Sequence, residues 1–256
     1  MANNVPPITL VTPDWPLPEN VGAAITTRAG GVSSGPYAGA NMALHVDDEP
    51  ANVAANRAQL MQQLGLEHIQ WLEQIHGTDV IDAEVDGLTR TADGCLTDRP
   101  GLACAVLTAD CLPILLCERN GAQVGALHAG WRGLAKGIVA RAVTRFDAPA
   151  RQLMAYLGPA IGPSQFEVGV EVLEAFFELA NTQASADAVA AAFTPAQKPL
   201  KFHADLYQLA TLALKQAGVH AVYGGNYCTA SDPERFYSYR RAAVTGRMAS
   251  LIWRKK

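Results

Sequence analysis

The sequence predicts a mixed α/β fold, a single domain in which mixed β-sheets are flanked by helices. Short runs of β-branched and apolar residues recur along the chain, which is typical of strands. Other segments repeat apolar residues at helical spacing. Strand-like and helix-like segments do not alternate strictly, which argues against a regular βαβ winding. No linker, charge block or internal repeat divides residues 1–256, so we expect one domain.

The predicted strands are distributed over the whole chain. The central segment, residues 102–128, contains two or three consecutive strand-like runs with no helix between them, which predicts an antiparallel meander. In chain order the predicted strands are residues 8–12, 23–27, 69–72, 80–85, 102–108, 114–118, 123–128, 153–157, 221–223 and 249–253.

A first helix is predicted between Asp48 and Gly65. Asp48 stands at the N-cap position, Pro50 at the first helical position, and Gly65 at the C-terminal stop. Further helices are predicted over residues 131–146, 170–181, 186–193 and 204–217.

Composition excludes several classes of protein. Hydrophobic residues make up 49% of the chain, enough for a sizeable core, so intrinsic disorder is excluded. Twenty Lys and Arg against 24 Asp and Glu give a net charge of −4, which disfavours nucleic acid as a partner. Residues 1–14 lack the pattern of a secretory signal, and the most apolar stretch, residues 102–116, contains Asp110 and is too short to span a bilayer. We therefore expect a cytoplasmic protein without membrane contact.

Most familiar catalytic motifs are absent. Gly31, Ser33 and Gly35 match the GxSxG pattern, but Pro36 follows where a nucleophile elbow needs a helix, so we predict a turn. The phosphate-binding loops for dinucleotides and triphosphates are missing, as are HExxH and the deaminase zinc signature. Five cysteines without a CxxC pair argue against a disulfide framework or zinc ribbon. Four of them are predicted to pack in apolar surroundings: Cys95, Cys104, Cys117 and Cys228.

Three metal-ligating side chains stand at predicted strand ends beside Gly or Pro turns. They are His76, Cys111 and His128. Two imidazoles and a thiolate fill three corners of a zinc tetrahedron and leave the fourth open, as in catalytic zinc sites, where bound water is acidified. The spacings of 35 and 17 residues match no local ligand motif. Two alternatives stay open: Cys111 is a buried small hydrophobe, or it is a nucleophile with His128 as its base.

At these residues the sequence resembles the laccase-domain proteins, once called multicopper polyphenol oxidases and now described as purine nucleoside phosphorylases. The resemblance covers almost the whole chain. Its motifs are residues 26–33, 41–47, 74–80, 92–94, 108–113, 128–133, 157–162, 238–241 and 245–247.

The resemblance implies a zinc site formed by His76, Cys111 and His128. It implies phosphorolysis of adenosine, inosine and S-methyl-5′-thioadenosine, with adenosine deamination as a further activity. The family is also similar in fold to the catalytic domain of cytotoxic necrotizing factor, a cysteine hydrolase, and some bacterial members are linked to peptidoglycan editing. A cysteine hydrolase using Cys111 and His128 and a non-enzymatic, metal-carrying scaffold therefore stay open as rivals.

Copper is the other metal that the resemblance raises. Six histidines are too few for coupled multicopper centres once two are used at the proposed site, although one Cu²⁺ in a His₂Cys site is chemically reasonable in vitro. A copper-dependent polyphenol oxidase is thus a further alternative.

Substrate-binding residues are expected among arginines beside glycine turns, because guanidinium groups bind phosphate. We expect Arg28, Arg132 and Arg240 to bind nucleoside and phosphate, with Arg241 and Arg247 as further candidates. The resemblance adds Asn41 as an expected substrate-binding residue and His45 as a further candidate, because both lie in a loop typical of the family. Asp93 and Asp110 are candidate supporting or acid–base groups. The oligomeric state does not follow from the sequence.

Overall fold

The computed structural model describes residues 5–180 and 182–256. Its strands are β1 Leu10–Val11, β2 Val21–Thr26, β3 His68–Gln70, β4 Leu72–Glu73, β5 Val80–Asp82, β6 Arg90–Thr91, β7 Gly94–Thr97, β8 Leu102–Thr108, β9 Leu112–Glu118, β10 Val124–Ala129, β11 Leu153–Leu157, β12 Glu167–Gly169, β13 Phe193–Pro195, β14 Lys201–Ala204, β15 Ala221–Gly224 and β16 Met248–Arg254. Its α-helices are α1 Pro50–Leu64, α2 Trp131–Ala135, α3 Ile138–Val143, α4 Val170–Phe177, α5 Gln183–Ala191 and α6 Leu206–Gln216.

Two mixed sheets form the centre of the fold, as the sequence predicts. The first has the strand order β1-β2-β16-β8-β3, and only its β8–β3 pair is parallel. The second has the order β15-β11-β9-β10-β7-β5, with parallel pairs at both edges. Smaller sheets, β12-β14-β13 and β4-β6, complete the described chain.

The two large sheets pack face to face, and helices cover their outer faces. Alternation along β9 shows the layering: Leu115 and Cys117 pack against Cys104 and Val106 of the first sheet, whereas Ile114 faces the helices. Helices α2 to α6 share the core on that outer side. Helix α1 packs its Leu60 on the outer face of the first sheet, so four layers result.

The predicted meander over residues 102–128 is only partly right. Strands β9 and β10 form an antiparallel hairpin, but β8 pairs with β16 and β3 in the other sheet. The chain therefore crosses between the sheets at residues 109–111, where Asp110 has a φ of +92°. Strand pairing over long sequence distances determines this arrangement, and a local pattern does not reveal it.

The predicted helix over residues 131–146 is two helices. Gly137 has a φ of +87°, in the left-handed region, and separates α2 from α3. Helix α1 begins at Pro50 and ends at Gly65 (φ +63°), as predicted, but its N-cap is Glu49 and not Asp48. The predicted helix over residues 186–193 begins earlier, at Gln183, and Phe193 belongs to β13. The predicted helix over residues 170–181 ends at Phe177, and its last predicted residue, Asn181, lies outside the described residues.

Several predicted strands differ at their ends. The strand predicted over residues 8–12 is only Leu10–Val11, the one over 69–72 is interrupted at Trp71, and the one over 80–85 ends at Asp82. Ser33 lies in a turn, as predicted, paired with Gly39 across an isolated bridge. In the described part of the chain, no helix combines the length and the apolar character needed to cross a membrane.

Candidate metal centre and cavity

The structure brings His76, Cys111 and His128 together. Their candidate ligand atoms all lie within 4.8 Å of one another, although the three residues come from three separate loops or strand ends. His76 follows β4, Cys111 lies between β8 and β9, and His128 lies near the end of β10. The His76 and His128 rings meet edge to face, with centroids 4.8 Å apart.

Cys111 lies where the chain passes from one large sheet to the other. The preceding residue, Asp110, is held in its left-handed conformation by the loops around it: its carbonyl accepts from the Ile161 N–H (2.9 Å), and its carboxylate accepts from Thr229 Oγ1 (2.6 Å) and Ser238 Oγ (3.0 Å). The Arg240 N–H also donates to this carboxylate (2.7 Å). Asp110 therefore joins the Cys111 loop to the C-terminal loop, and its carboxylate is fully engaged in that role.

The His76 loop is fixed by two polar clamps. Gln74 both donates to and accepts from the backbone of Leu107, at 2.8 and 2.7 Å, and so ties the loop to the end of β8. Asp93 accepts the backbone N–H groups of Ile75, His76 and Gly77, at 3.2, 3.0 and 2.6 Å. These bonds hold His76 at a φ of +58°, a conformation unusual for a residue other than glycine.

The same Asp93 carboxylate orients His128. Its Oδ1 lies 2.7 Å from His128 Nδ1, and both side chains are buried. Because Nδ1 is engaged with Asp93, Nε2 is the ring nitrogen available to a metal, as in carboxylate–histidine–zinc arrangements. Asp93 thus orients the candidate ligand His128, which agrees with its prediction as a supporting group.

Charge around the site shifts the pKa values of these groups in the metal-free protein. Burial lowers the pKa of His128, but the neighbouring Cys111 and Asp93 outweigh it and raise the pKa to about 9. Burial and the neighbouring His128 lower the pKa of His76. Burial raises the pKa of Asp93, but its hydrogen bonds to His128 and Gly77 bring it below the usual value. A metal ion at this position competes with a proton on His128.

The absence of a side chain at Gly130 leaves room beside two of the three ligands, His76 and Cys111. A Cβ at this position would lie 2.8 Å from His76 Nδ1 and 3.1 Å from Cys111 Sγ. Two imidazoles and one thiolate also form a donor set suited to zinc. The residues therefore fit a bound metal ion.

A cavity of about 560 Å³ opens from this centre, a size typical of small-molecule sites. Four of its lining residues are apolar, Leu107, Ile161, Phe166 and Leu206, and together they are called the apolar wall below. The remaining lining residues are mostly polar, aromatic or charged: His45, Gln74, His76, Thr108, Ala109, Asp110, Cys111, His128, Trp131, Arg132, Tyr239, Arg240 and Arg247.

Of the four predicted substrate-binding residues, two line this cavity. Arg132 is exposed there and stacks on Trp131, with its Cζ 4.3 Å from the ring centroid. Arg240 also lines the cavity, but its two terminal nitrogens donate to the carbonyls of Gln165 and Glu167. It therefore ties the C-terminal loop to the start of β12 and the residues just before it.

The other two predicted residues lie outside the cavity lining. Arg28 stacks over the Tyr237 ring and donates to the Pro233 carbonyl. Asn41 is fully buried, and its amide group makes four hydrogen bonds, with Asp48, the Arg247 N–H and both backbone polar groups of Ala43. Asn41 therefore has no donor or acceptor left for a substrate.

The sequence does not predict a functional role for the apolar wall or for Gln74. Phe166, Ile161 and Leu206 come from segments whose patterns resemble ordinary core, so no local signal separates them from it. Gln74 does carry a signal, because it precedes His76 by two residues within the same motif. Cys95, Cys104 and Cys117 are buried in the core, as predicted, and Cys228 is half-buried, with its Sγ accepting from the Gly162 N–H.

Comparison with known proteins gives consistent results over nearly the whole chain. Residues 22–255 match the family described as multi-copper polyphenol oxidoreductase laccase. A Pseudomonas aeruginosa protein named purine nucleoside phosphorylase is 49% identical, over 95% of this chain and 97% of its own length. The Escherichia coli protein named purine nucleoside phosphorylase YfiH is 46% identical, over 95% of this chain and 98% of its own.

Solved structures show the same fold. A crystal structure of a Neisseria meningitidis protein superposes with a TM-score of 0.91 at 48% identity, covering 96% of this chain and 99% of that one. YlmD from Geobacillus stearothermophilus superposes with a TM-score of 0.87 at 30% identity, covering 98% of this chain and 100% of that one.

Proposed function

The chain belongs to the multi-copper polyphenol oxidoreductase laccase family, and we propose that it is a zinc-dependent purine nucleoside phosphorylase. The relatives from Pseudomonas aeruginosa and Escherichia coli are named purine nucleoside phosphorylase. The observation that carries the proposal is a cavity in which a His₂Cys ligand set, arginine side chains and an apolar wall meet.

The proposed reaction is phosphorolysis of adenosine, inosine or S-methyl-5′-thioadenosine. A phosphate oxygen forms a bond to C1′ of the ribose, and the C1′–N9 bond breaks. Its electron pair leaves with the purine, which takes up a proton, and the products are the free base and the pentose 1-phosphate. Adenosine deamination, in which water replaces the amino group at C6 and ammonia leaves, is proposed as a further activity of the same site.

The residues of the chain bind and orient the reactants. The apolar wall formed by Leu107, Ile161, Phe166 and Leu206 excludes water from the purine and ribose, which strengthens polar interactions inside the cavity. Guanidinium groups donate charge-assisted hydrogen bonds to the phosphate dianion. His76, Cys111 and His128 would hold the zinc ion, which supplies Lewis-acid catalysis when bound.

The test is product analysis with and without phosphate. Protein of measured metal content is incubated with adenosine, and adenine, inosine and hypoxanthine are separated by liquid chromatography. We expect adenine only when phosphate is present, inosine independently of phosphate, and neither product with Cys111→Ala. Full activity of Cys111→Ala would contradict the assignment of the site.

The metal is proposed to be zinc, because two imidazoles and one thiolate suit it. The same donors bind Cu²⁺ more tightly in vitro, so copper uptake alone does not identify the native metal. Elemental analysis of protein purified without added metal distinguishes the two. In the described chain, His76, Cys111 and His128 are the one cluster of three or more such ligands, which argues against a coupled multicopper oxidase.

A cysteine hydrolase is the second candidate, favoured by one observation. Cys111, His128 and Asp93 follow one another as nucleophile, base and orienting carboxylate, with 2.7 Å between His128 Nδ1 and Asp93 Oδ1. This alternative predicts turnover of amide substrates that alkylation of Cys111 blocks and chelation leaves intact. If chelation abolishes phosphorolysis of adenosine and added zinc restores it, the result would support the phosphorylase instead.

A further inference from the structure

The cavity gathers cationic side chains that have no carboxylate partner. In the described residues, seven ion pairs join a basic side chain to an acidic one, and none of them involves Arg132, Arg240 or Arg247. All three line the cavity. A cavity with this surplus of positive charge attracts an anion, and the structure distinguishes the three arginines by what their guanidinium groups already bind.

The Arg132 guanidinium makes no hydrogen bond to the described residues but is exposed, whereas Arg247 has unused donors at a partly desolvated position. Arg247 is half-buried, and only its Nη1 is engaged, with the carbonyls of Thr245 and Gly246 at 2.8 and 3.0 Å. Within the described residues, Nε and Nη2 of Arg247 have no hydrogen-bond acceptor. Arg240, in contrast, has both terminal nitrogens engaged with carbonyls and is exposed.

His45 lines the same cavity as Arg247, with part of its side chain exposed. Burial lowers the pKa of His45, and the nearby Arg247 and Arg57 guanidiniums lower it further. An anion between His45 and Arg247 would be attracted by the positive charge of the Arg247 guanidinium. A neutral imidazole also donates one hydrogen bond to such an anion.

A buried polar network holds the two residues together. Asn41 Oδ1 accepts the N–H groups of Arg247 (2.9 Å) and Ala43 (3.0 Å), and the Met42 N–H donates to the Arg247 carbonyl (3.2 Å). Asn41 Nδ2 donates to Asp48 at 2.9 Å. Beneath it, Ser33 donates to Asp48 at 2.7 Å, and Asn56 donates to Ser33 at 3.0 Å. These bonds fix residues 41–43 and Asp48 on either side of His45, and they join residues 41 and 42 to the backbone of Arg247.

We propose that Arg247 and His45 form the phosphate subsite of this cavity and that Asn41 is the residue that positions them. The inference rests on the proposed phosphorolysis for its substrate, inorganic phosphate. It assigns the phosphate to Arg247 and not to Arg28, which lies outside the cavity lining. It also gives a role to the network of Ser33, Asn41, Asp48 and Asn56, which does not reach the cavity itself.

The test compares single variants of the zinc-loaded protein. We expect Arg247→Ala to raise the KM for phosphate by about tenfold or more, since a charge-assisted hydrogen bond is worth that factor, and to leave the KM for adenosine within about twofold. His45→Ala should raise the KM for phosphate by about three- to tenfold. Arg247→Lys keeps the charge and should show a smaller effect. The matched control, Arg151→Ala, changes an exposed arginine away from the cavity and should behave as the parent protein.

Equilibrium binding of inorganic phosphate, followed by ³¹P NMR, separates this inference from the proposed function. Phosphate binding that Arg247→Ala weakens in a protein without phosphorolysis would support the subsite and reject the function. Phosphorolysis with an unchanged phosphate KM in Arg247→Ala would reject the subsite and retain the function. Phosphate binding that is lost in Cys111→Ser but kept in Arg247→Ala would place the anion on the metal and overturn the proposal. Zinc content and thermal unfolding are measured for every variant, and Arg247→Lys replaces Arg247→Ala if the latter does not fold.

Discussion

Asp93 joins two of the three candidate metal ligands through one carboxylate. It accepts three backbone N–H groups of the His76 loop and faces Nδ1 of His128. An amide at this position keeps the size but offers only one acceptor oxygen. We therefore expect Asp93→Asn to weaken zinc binding by about 10- to 100-fold, the usual effect of losing a group that orients a ligand.

Competition with a chromogenic chelator measures this loss. Asp79→Asn is the matched control, because Asp79 is an exposed carboxylate of the neighbouring turn whose side chain pairs with Arg141. The control should bind zinc as the parent protein does. Equal zinc affinity in Asp93→Asn and Asp79→Asn would show that the Asp93 carboxylate does not support the site.

Gly130 provides a second test at the scale of one residue. Its φ of −60° is open to any amino acid, so a substitution acts through the space that its Cβ occupies. In Gly130→Ala that atom meets His76 Nδ1 and Cys111 Sγ, and the ligands must move apart. We expect zinc affinity to fall by about tenfold or more while the metal-free protein unfolds at nearly the parent temperature. Parent-like zinc binding in Gly130→Ala would contradict the ligand assignment.

At the scale of elements, Gly137 determines that residues 131–143 form two helices. Nothing lies within 4 Å of a Cβ built there, and φ is +87°, so the cost of a side chain is conformational. We expect Gly137→Ala to lower the free energy of unfolding by about 1–2 kcal/mol, measured by urea denaturation. Gly137→Asn is the matched variant and should cost less, because asparagine tolerates the left-handed region. Equal losses in both variants would point to crowding and not to backbone strain.

Helix α1 stabilises the loops near the cavity through Asn56. This fully buried side chain donates to Ser33 Oγ and the Asn41 carbonyl, and it accepts the Val32 N–H. Asn56→Ala leaves several buried polar groups without partners, so we expect a loss of about 2–4 kcal/mol in the free energy of unfolding. Asn52→Ala, one turn earlier in the same helix, is the control and should change stability by less than about 0.5 kcal/mol. Similar losses in the two variants would show that the network contributes little.

At the scale of the molecule, local sequence patterns predict the elements better than their pairing. Strands β8 and β11 are predicted to the residue because they are continuous buried apolar runs. Two- and three-residue strands such as β6 and β12 lack any periodicity, and the sequence patterns predict none of β6, β7, β12, β13 and β14. The separation of β8 from β9 into two sheets depends on distant partners, so no window of sequence contains it.

In the candidate site, too, the sequence predicts some features, and others are visible only in the structure. The chemistry of His76, Cys111 and His128 is visible in their residue types, and the structure brings them together. Arg28 and Asn41 belong to motifs as distinctive as those of the ligands, yet their side chains are used for packing and internal hydrogen bonds. A motif therefore indicates that a side chain has defined partners, and only the structure shows whether those partners are a substrate or the protein.

The stability of the whole molecule should depend on pH through His128 and its neighbours Cys111 and Asp93. In the metal-free protein the pKa of His128 is raised from 6.5 to about 9, so its stabilising effect is complete below pH 6.5 and is lost as the pH rises through 9. The pKa of Asp93 lies below 3.8, so its effect is present above that pH and is lost on further acidification. We therefore expect metal-free protein to be most stable between about pH 4 and 6.5 and to lose about 2–3 kcal/mol by pH 9.

Bound zinc should oppose the loss of stability that the metal-free protein shows at alkaline pH. It requires a deprotonated His128 and a Cys111 thiolate, so its binding strengthens over the pH range in which the proton leaves. The difference in melting temperature between zinc-loaded and metal-free protein should grow from about pH 6.5 to 9, as measured by differential scanning calorimetry. Asp93→Asn removes one of the two groups that raise the pKa of His128, so it should reduce the loss of stability of the metal-free protein over this range. The opposite outcome is a metal-free protein whose stability does not fall between about pH 6.5 and 9. It would show that His128 is not held as a cation beside Asp93 and Cys111. A proton on His128 would then not compete with the metal ion.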